Sequence, residues 1–144
     1  MRIGLVGCAK SKRADPAPAR DLYDPSALFR GARCFVERSC DRWFILSAKY
    51  GLMRPEQVIE PYELSLTDAS RTERRSWAAR VLGQLERELG SDLSPHTFEA
   101  HAGSAYLDFG LVSGIEERGG RVEPPLQGLG LGKRLSFYRR CGCL

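Results

Sequence analysis

Arg2-Ile3-Gly4-Leu5-Val6-Gly7-Cys8-Ala9-Lys10-Ser11-Lys12 opens the chain as a short apolar run that Gly7 releases into a small-residue, cationic loop. A run of this length and apolarity reads as a buried strand. The same grammar recurs downstream. Trp43 to Leu46 lead into Ser47-Ala48-Lys49-Tyr50-Gly51, and Thr97 to Ala100 lead into His101-Ala102-Gly103-Ser104. Arg121 to Glu123 form a short fourth strand ahead of Pro124-Pro125 and a glycine-rich segment, Gly128 to Lys133.

Helical patterns fill the intervals. Asp24-Pro25 reads as an N-cap followed by proline at the first helical position. Leu28, Phe29, Ala32, Phe35 and Val36 then share one face to about Ser39. Asp68 or Ser70 caps a long helix carrying Trp77, Val81, Leu82, Leu85 and Leu89, stopped by Gly90. Ser104 caps another that presents Tyr106, Phe109, Val112 and Ile115, and a basic helix ends the chain. Pro55 and Pro61 make residues 52–66 irregular.

Strand and helix thus alternate, which predicts a single α/β domain over residues 1–144. Its sheet is four-stranded and mostly parallel, with helices on its faces. In such sheets ligands bind beyond the carboxyl ends of the strands. The three strand-exit loops and the glycine-rich segment would meet at that edge, and this convergence is the argument for one site.

Length and composition set the bounds. At 144 residues, 42% hydrophobic and 28% charged, the chain fits one ordinary globular core. No apolar run reaches the roughly 18 residues that a membrane span requires. The first residues turn polar too soon for a signal peptide, so a cytoplasmic protein is expected. Five cysteines lack zinc-finger spacing. Cys34 falls on a helix's apolar side, and Cys141-Gly142-Cys143 read as part of a reduced, frayed tail over residues 141–144. Nothing demands a metal or redox cofactor, and nothing sets an oligomeric state.

The basic residues are unevenly chosen. Arginine occurs 18 times and lysine four times, and every lysine falls in or next to a loop. Lys10 and Lys12 follow the first strand, Lys49 follows the second, and Lys133 closes the glycine-rich segment. Against such an arginine bias, a lysine suggests a need for a compact, mobile ammonium. These four are therefore candidate contacts to one anionic ligand. The net charge of +4 is modest, but the tail from Lys133 to Arg140 holds no acid, which favours a nucleotide or nucleic acid as partner.

Each loop has a chemical reading and a plain one. Cys8 beside two lysines is a candidate nucleophile, or simply a small residue at a strand end. Ser47 can donate its hydroxyl to an anion beside Lys49, or the turn is a strand exit. Tyr62 can stack on a base or donate its hydroxyl, and Glu60 or Glu63 can activate a water. His101 can move protons near neutral pH, or it is a buried histidine satisfied by its neighbours. Gly103 and Ser104 would offer backbone N–H groups at a helix start. Gly128 to Lys133 is not a Walker A loop, because Gln127 stands where a glycine is required and Arg134 replaces Ser/Thr.

These residues together resemble a bacterial and phage domain family of unknown function. The resemblance rests on Cys8-x-Lys10-x-Lys12, Asp21-Leu22-Tyr23 with Leu28-Phe29, Ile45-Leu46-Ser47-Ala48-Lys49-Tyr50-Gly51-Leu52, Pro61-Tyr62, His101-Ala102-Gly103 with Tyr106, and Gly128 to Lys133. The layout is also similar to the DNA-binding peroxide-stress YaaA proteins, to accessory domains of archaeosine tRNA-modification enzymes and, more distantly, to the uracil-DNA-glycosylase-like α/β fold. Those likenesses imply nucleobase or nucleic-acid chemistry. The chain departs from a glycosylase in having Cys8, with Asp15 a weak substitute, where a water-activating Asp would follow the first strand. A general base would then come from Glu60, Glu63 or His101. The expectation is an enzyme that breaks or exchanges an N-glycosidic bond of a nucleotide or nucleic acid, and the alternative is a non-catalytic module that binds one.

Overall fold

The computed structural model describes all residues, 1–144. In chain order its elements are β1 (Arg2–Gly7), β2 (Ala17–Pro18), α1 (Ala19–Leu22), α2 (Ala27–Ser39), β3 (Arg42–Ser47), β4 (Gly51–Met53) and β5 (Val58–Ile59). A 3-10 turn (Leu66–Asp68) follows, then α3 (Arg71–Leu89), β6 (Thr97–His101), α4 (Ser104–Leu107), α5 (Leu111–Glu117), β7 (Arg121–Glu123) and α6 (Leu131–Arg140).

The main sheet has five strands in the order β4-β3-β1-β6-β7. β1 lies at its centre, parallel to β3 with Leu5 beside Phe44 and parallel to β6 with Val6 beside His101. β7 continues the parallel run. The expected four strands are all present. The fifth, β4, is antiparallel to β3 and was read as irregular, because three residues carry no usable period. Gly51 allows the reversal at φ 73°, and the Gln84 side chain caps the hairpin by accepting the Leu52 N–H at 2.8 Å. A separate two-stranded ribbon joins β2 to β5.

Alternation along β1 feeds two cores. Ile3 and Leu5 pack with Phe44, Leu46, Phe98 and the apolar sides of α3 and α5. Val6 and Ile45 pack on the other side with Phe29, Ala32, Val36 and Tyr138 from α2 and α6. The sheet is therefore covered on both faces, as parallel strands require. The crossover through α2 reaches β3 on one side of β1, and the crossover through α3 reaches β6 on the other. The connection reverses direction at β1, where open α/β sheets form a crevice.

Several helix boundaries differ from expectation. Ser26, not Asp24, caps α2, accepting the Phe29 N–H. Ser70 closes a reciprocal capping box with Glu73 at the start of α3. The helix expected to run from Ser104 is two helices, because Gly110 at φ 118° leaves the right-handed region. The tail is not frayed either. Gly142 turns the chain at φ 75°, the Cys143 N–H bonds the Tyr138 carbonyl, and Cys143 forms a disulfide with Cys34 of α2.

Candidate functional site

A cleft of about 590 Å³ begins at Cys8, the residue that follows β1. The Cys8 N–H extends the strand ladder by donating to the Leu46 carbonyl, so the thiol is held at a defined height. Cys8 Sγ lies 3.3 Å from Tyr106 Oη, and the two form the floor. Lys10 and Lys12 line it. Glu63, Ser65, Thr67, Asp68 and Glu73 line it too, carried by the segment before α3 and by its first turn.

Lys10 is exposed, whereas Lys12 is half-buried. The Lys12 ammonium donates to the Lys10 carbonyl at 3.2 Å and lies 4.6 Å from the centre of the Tyr62 ring. Burial lowers its pKa below the ordinary lysine value, while Cys8 and Glu63 pull the other way. Its hold on an anion therefore weakens as pH rises through a point lower than for a free lysine. Tyr106 stands with its ring edge-on to Trp77. Burial, with Cys8 beside it, raises the Tyr106 pKa, so the hydroxyl stays protonated and available to donate.

Ser47 and Tyr62 are engaged within the chain. Ser47 is fully buried, and its Oγ accepts the N–H groups of Lys49 and Tyr50 at 3.2 and 3.1 Å. It bonds Tyr62 Oη at 2.7 Å, and Tyr62 Oη bonds Tyr23 Oη at 2.6 Å. With its hydroxyl engaged and the Tyr50 ring edge-on to it, Tyr62 has no face free for a base. It serves instead as the platform beneath Lys12. Lys49 is exposed, with its ammonium 6.0 Å from the same ring, and stands outside the cleft lining.

His101 is engaged within the chain as well. Its side chain is fully buried on the α2–α6 face. Nε2 lies 2.7 Å from Glu99 Oε1, and Nδ1 lies 2.8 Å from Tyr138 Oη. A carboxylate only accepts, so Nε2 carries a proton toward Glu99, and in the neutral ring Nδ1 accepts from Tyr138. Arg2 and Ser39 complete the cage around Glu99. His101 does not reach the 590 Å³ cleft. It lines only an 80 Å³ chamber that shares Cys8, Ala9 and Tyr106 with it.

The remaining candidates scatter. Glu63 lines the cleft, whereas Glu60 is exposed outside it. Gly103 borders the small chamber and is itself the N-cap of α4, so the expected cap at Ser104 is one residue late. Ser104 is exposed beside a different depression with Gln127 and Arg134. Lys133 is exposed on α6 and borders none of these cavities. Two of the four lysines therefore share the cleft. No group of three or more His, Cys, Asp or Glu side chains is placed to hold a metal ion.

Sequence reasoning missed the Ser65–Glu73 lining, which lies where no periodicity marks a residue's direction. It also missed Glu99 and Tyr138. Glu99 carried a signal: an acid in an apolar strand two residues before His101 must share its face.

The family model described as a family of unknown function (DUF6884) matches residues 3–140. The chain belongs to that family. No curated protein and no solved structure matches it.

Proposed function

We propose that this member of a family of unknown function is an enzyme that binds a nucleotide or a nucleic acid in the 590 Å³ cleft and breaks its N-glycosidic bond. The observation that carries the reading is the meeting of Lys10 and Lys12 with Glu63 in one cleft floored by Cys8 and Tyr106. The lysines give a phosphate an ammonium wall. The floor gives sugar and base a partly apolar seat. Glu63 gives a water its general base. Cys8, Ala9, Lys10 and Lys12 of its lining follow β1, and open α/β sheets bind ligands past the carboxyl ends of their strands. The resemblance to YaaA-type and glycosylase-like domains supports the same chemical setting.

In this reading the Glu63 carboxylate takes a proton from water as the water oxygen bonds C1′. The C1′–N bond breaks, its electron pair passes to the base nitrogen, and that nitrogen takes up a proton from solvent. Tyr106, kept protonated by its burial, donates a hydrogen bond to the charge that develops. The products are free base and a sugar bearing a new hydroxyl. Loss of a general base costs roughly 10²- to 10⁴-fold in rate.

The test is mass-spectrometric detection of bases freed from a panel of nucleotides and modified DNA. Glu63→Gln should abolish release, and Glu60→Gln, outside the cleft, should leave it unchanged. Tight nucleotide binding with no base freed by the wild type would replace the enzyme with a binding module.

A further inference from the structure

The turn between β3 and β4 is bonded to α3 along its whole length, and it carries cations that the cleft does not use. We infer that the substrate is a nucleic-acid strand, in which Lys49 and Arg80 hold the phosphate next to the one on Lys10 and Lys12. The inference rests on the phosphate-binding reading of the cleft above and names the class of substrate.

Three side chains spaced along one face of α3 hold the turn. Trp77 Nε1 donates to the Ser47 carbonyl at 2.8 Å, Arg80 to the Lys49 carbonyl at 2.9 Å and Gln84 to the Tyr50 carbonyl at 3.2 Å. Gln84 also accepts the Leu52 N–H. The backbone of Lys49 is thus fixed, and its exposed side chain swings from a fixed point. The Lys49 ammonium lies 5.2 Å from the centre of the Tyr50 ring and 6.0 Å from that of Tyr62. The Lys12 ammonium lies 4.6 Å from the centre of the same Tyr62 ring. Cleft and turn therefore meet at one buried phenol. Their cations are close enough for consecutive phosphates of one strand, with the flexible lysine stems adjusting the spacing.

None of Lys10, Lys12, Lys49 and Arg80 takes part in a salt bridge of the chain. Arg80 is exposed and engages only Nη1 with the turn, which leaves the rest of its fork of donors for a phosphate. Its neighbours on α3, Ser76, Trp77, Gly83 and Gln84, include no acid. Glu63, Asp68 and Glu73 line the cleft itself, whereas Lys49 and Arg80 stand outside its lining. A mononucleotide seated on Lys10 and Lys12 has one phosphate group and leaves the pair on the turn unused. A strand brings a second phosphate to that pair, and a backbone contact of this kind is the same for every base.

The experiment is calorimetric titration of the full chain with AMP, with ADP, and with short single-stranded oligomers of adenylate and of deoxyadenylate. ADP adds a phosphate without adding strand. At least one oligomer should bind roughly tenfold or more tighter than either AMP or ADP, and the tighter oligomer assigns RNA or DNA. Lys49→Met and Arg80→Met should each weaken the oligomer roughly fivefold more than they weaken AMP. Each should also flatten the slope of log affinity against log salt by about 0.7, the share of one phosphate contact on a single strand. Lys133→Met, which removes a charge from α6, should do neither. Lys49→Met keeps every bond that holds the turn, so its result stands even where Arg80→Met unsettles the fold. Oligomers no tighter than AMP or ADP, or a Lys49→Met variant without the selective loss, overturn the inference, and binding of AMP then keeps the phosphate reading standing. No binding of AMP, ADP or either oligomer overturns both.

Discussion

The Lys12 ammonium rests 4.6 Å from the centre of the Tyr62 ring, and that ring is pinned by its hydroxyl between Ser47 and Tyr23. The direction of the chain of bonds follows from counting. Two backbone N–H groups occupy the lone pairs of Ser47 Oγ, so Ser47 donates to Tyr62 and Tyr62 donates to Tyr23. One buried phenol thus ties the loop after β1, the turn after β3 and the segment after β5. It also gives the lysine wall a rigid base.

Replacing Tyr62 with Phe keeps the ring under Lys12 but strands the Ser47 hydroxyl without its acceptor. Tyr62→Phe should cost about 1–3 kcal/mol of folding stability. Chemical denaturation reads this as a lower midpoint at unchanged slope. A wild-type midpoint would show that the chain of hydroxyls contributes nothing.

The four parallel strands were legible because each is an apolar run with a small-residue exit, separated from the next by a helical pattern. β4 was not, since Gly51-Leu52-Met53 is too short to show a period. Lys10 and Lys12 were legible because they lie three and five residues beyond the end of β1, where the fold itself fixes their position. Glu63 was only one of several loop acids, Asp68 read as a possible helix cap, and Glu73 drew no reading. Nothing local says that they line one cleft with the lysines. His101 looked like a proton carrier because its burial depends on Tyr138, a residue of α6 whose packing no spacing reveals. The Cys34–Cys143 pairing was equally hidden, as connectivity does not follow from cysteine positions.

Tyr138 reaches His101 only because α2 has Gly31 at the crossing, where an added Cβ would lie 2.6–2.8 Å from the Tyr138 side chain. Gly31→Ala should therefore destabilise, by about 1–3 kcal/mol as for other overpacked sites. Helix propensity alone argues the reverse, since alanine is favoured over glycine by about 1 kcal/mol. Thermal or urea unfolding decides between them, and a stabilised variant would remove the close crossing from the account.

Glu99 makes stability depend on pH. Burial alone would raise its pKa, but hydrogen bonds from His101 and Arg2 outweigh that and hold it below the usual carboxylate range. A depressed folded-state value means the contribution is present above the unfolded pKa and is lost as pH falls through the folded one. Unfolding measured from pH 7 down to pH 3 should show stability falling in the acid range. Glu99→Gln should be less stable at neutral pH, with a shallower acid dependence. An unchanged acid profile would contradict the assignment.

The Cys34–Cys143 bridge joins residues 109 apart and holds the end of α6 against α2. Closing so long a loop is worth about 5 kcal/mol in the chain-entropy model. A reductant should lower the thermal midpoint of the wild type and have no further effect on Cys143→Ser. A midpoint indifferent to reductant would mean that the α2–α6 packing suffices without the bridge.

The most direct test of the phosphate-binding cleft is the steady-state rate of base release for Lys12→Met beside Lys133→Met. Both changes remove one ammonium, but only Lys12 borders the cleft. Lys12→Met should lower kcat/KM at least tenfold, chiefly through KM, and Lys133→Met should match the wild type. Equal losses in both variants, or full activity in Lys12→Met, would place the chemistry elsewhere on the molecule.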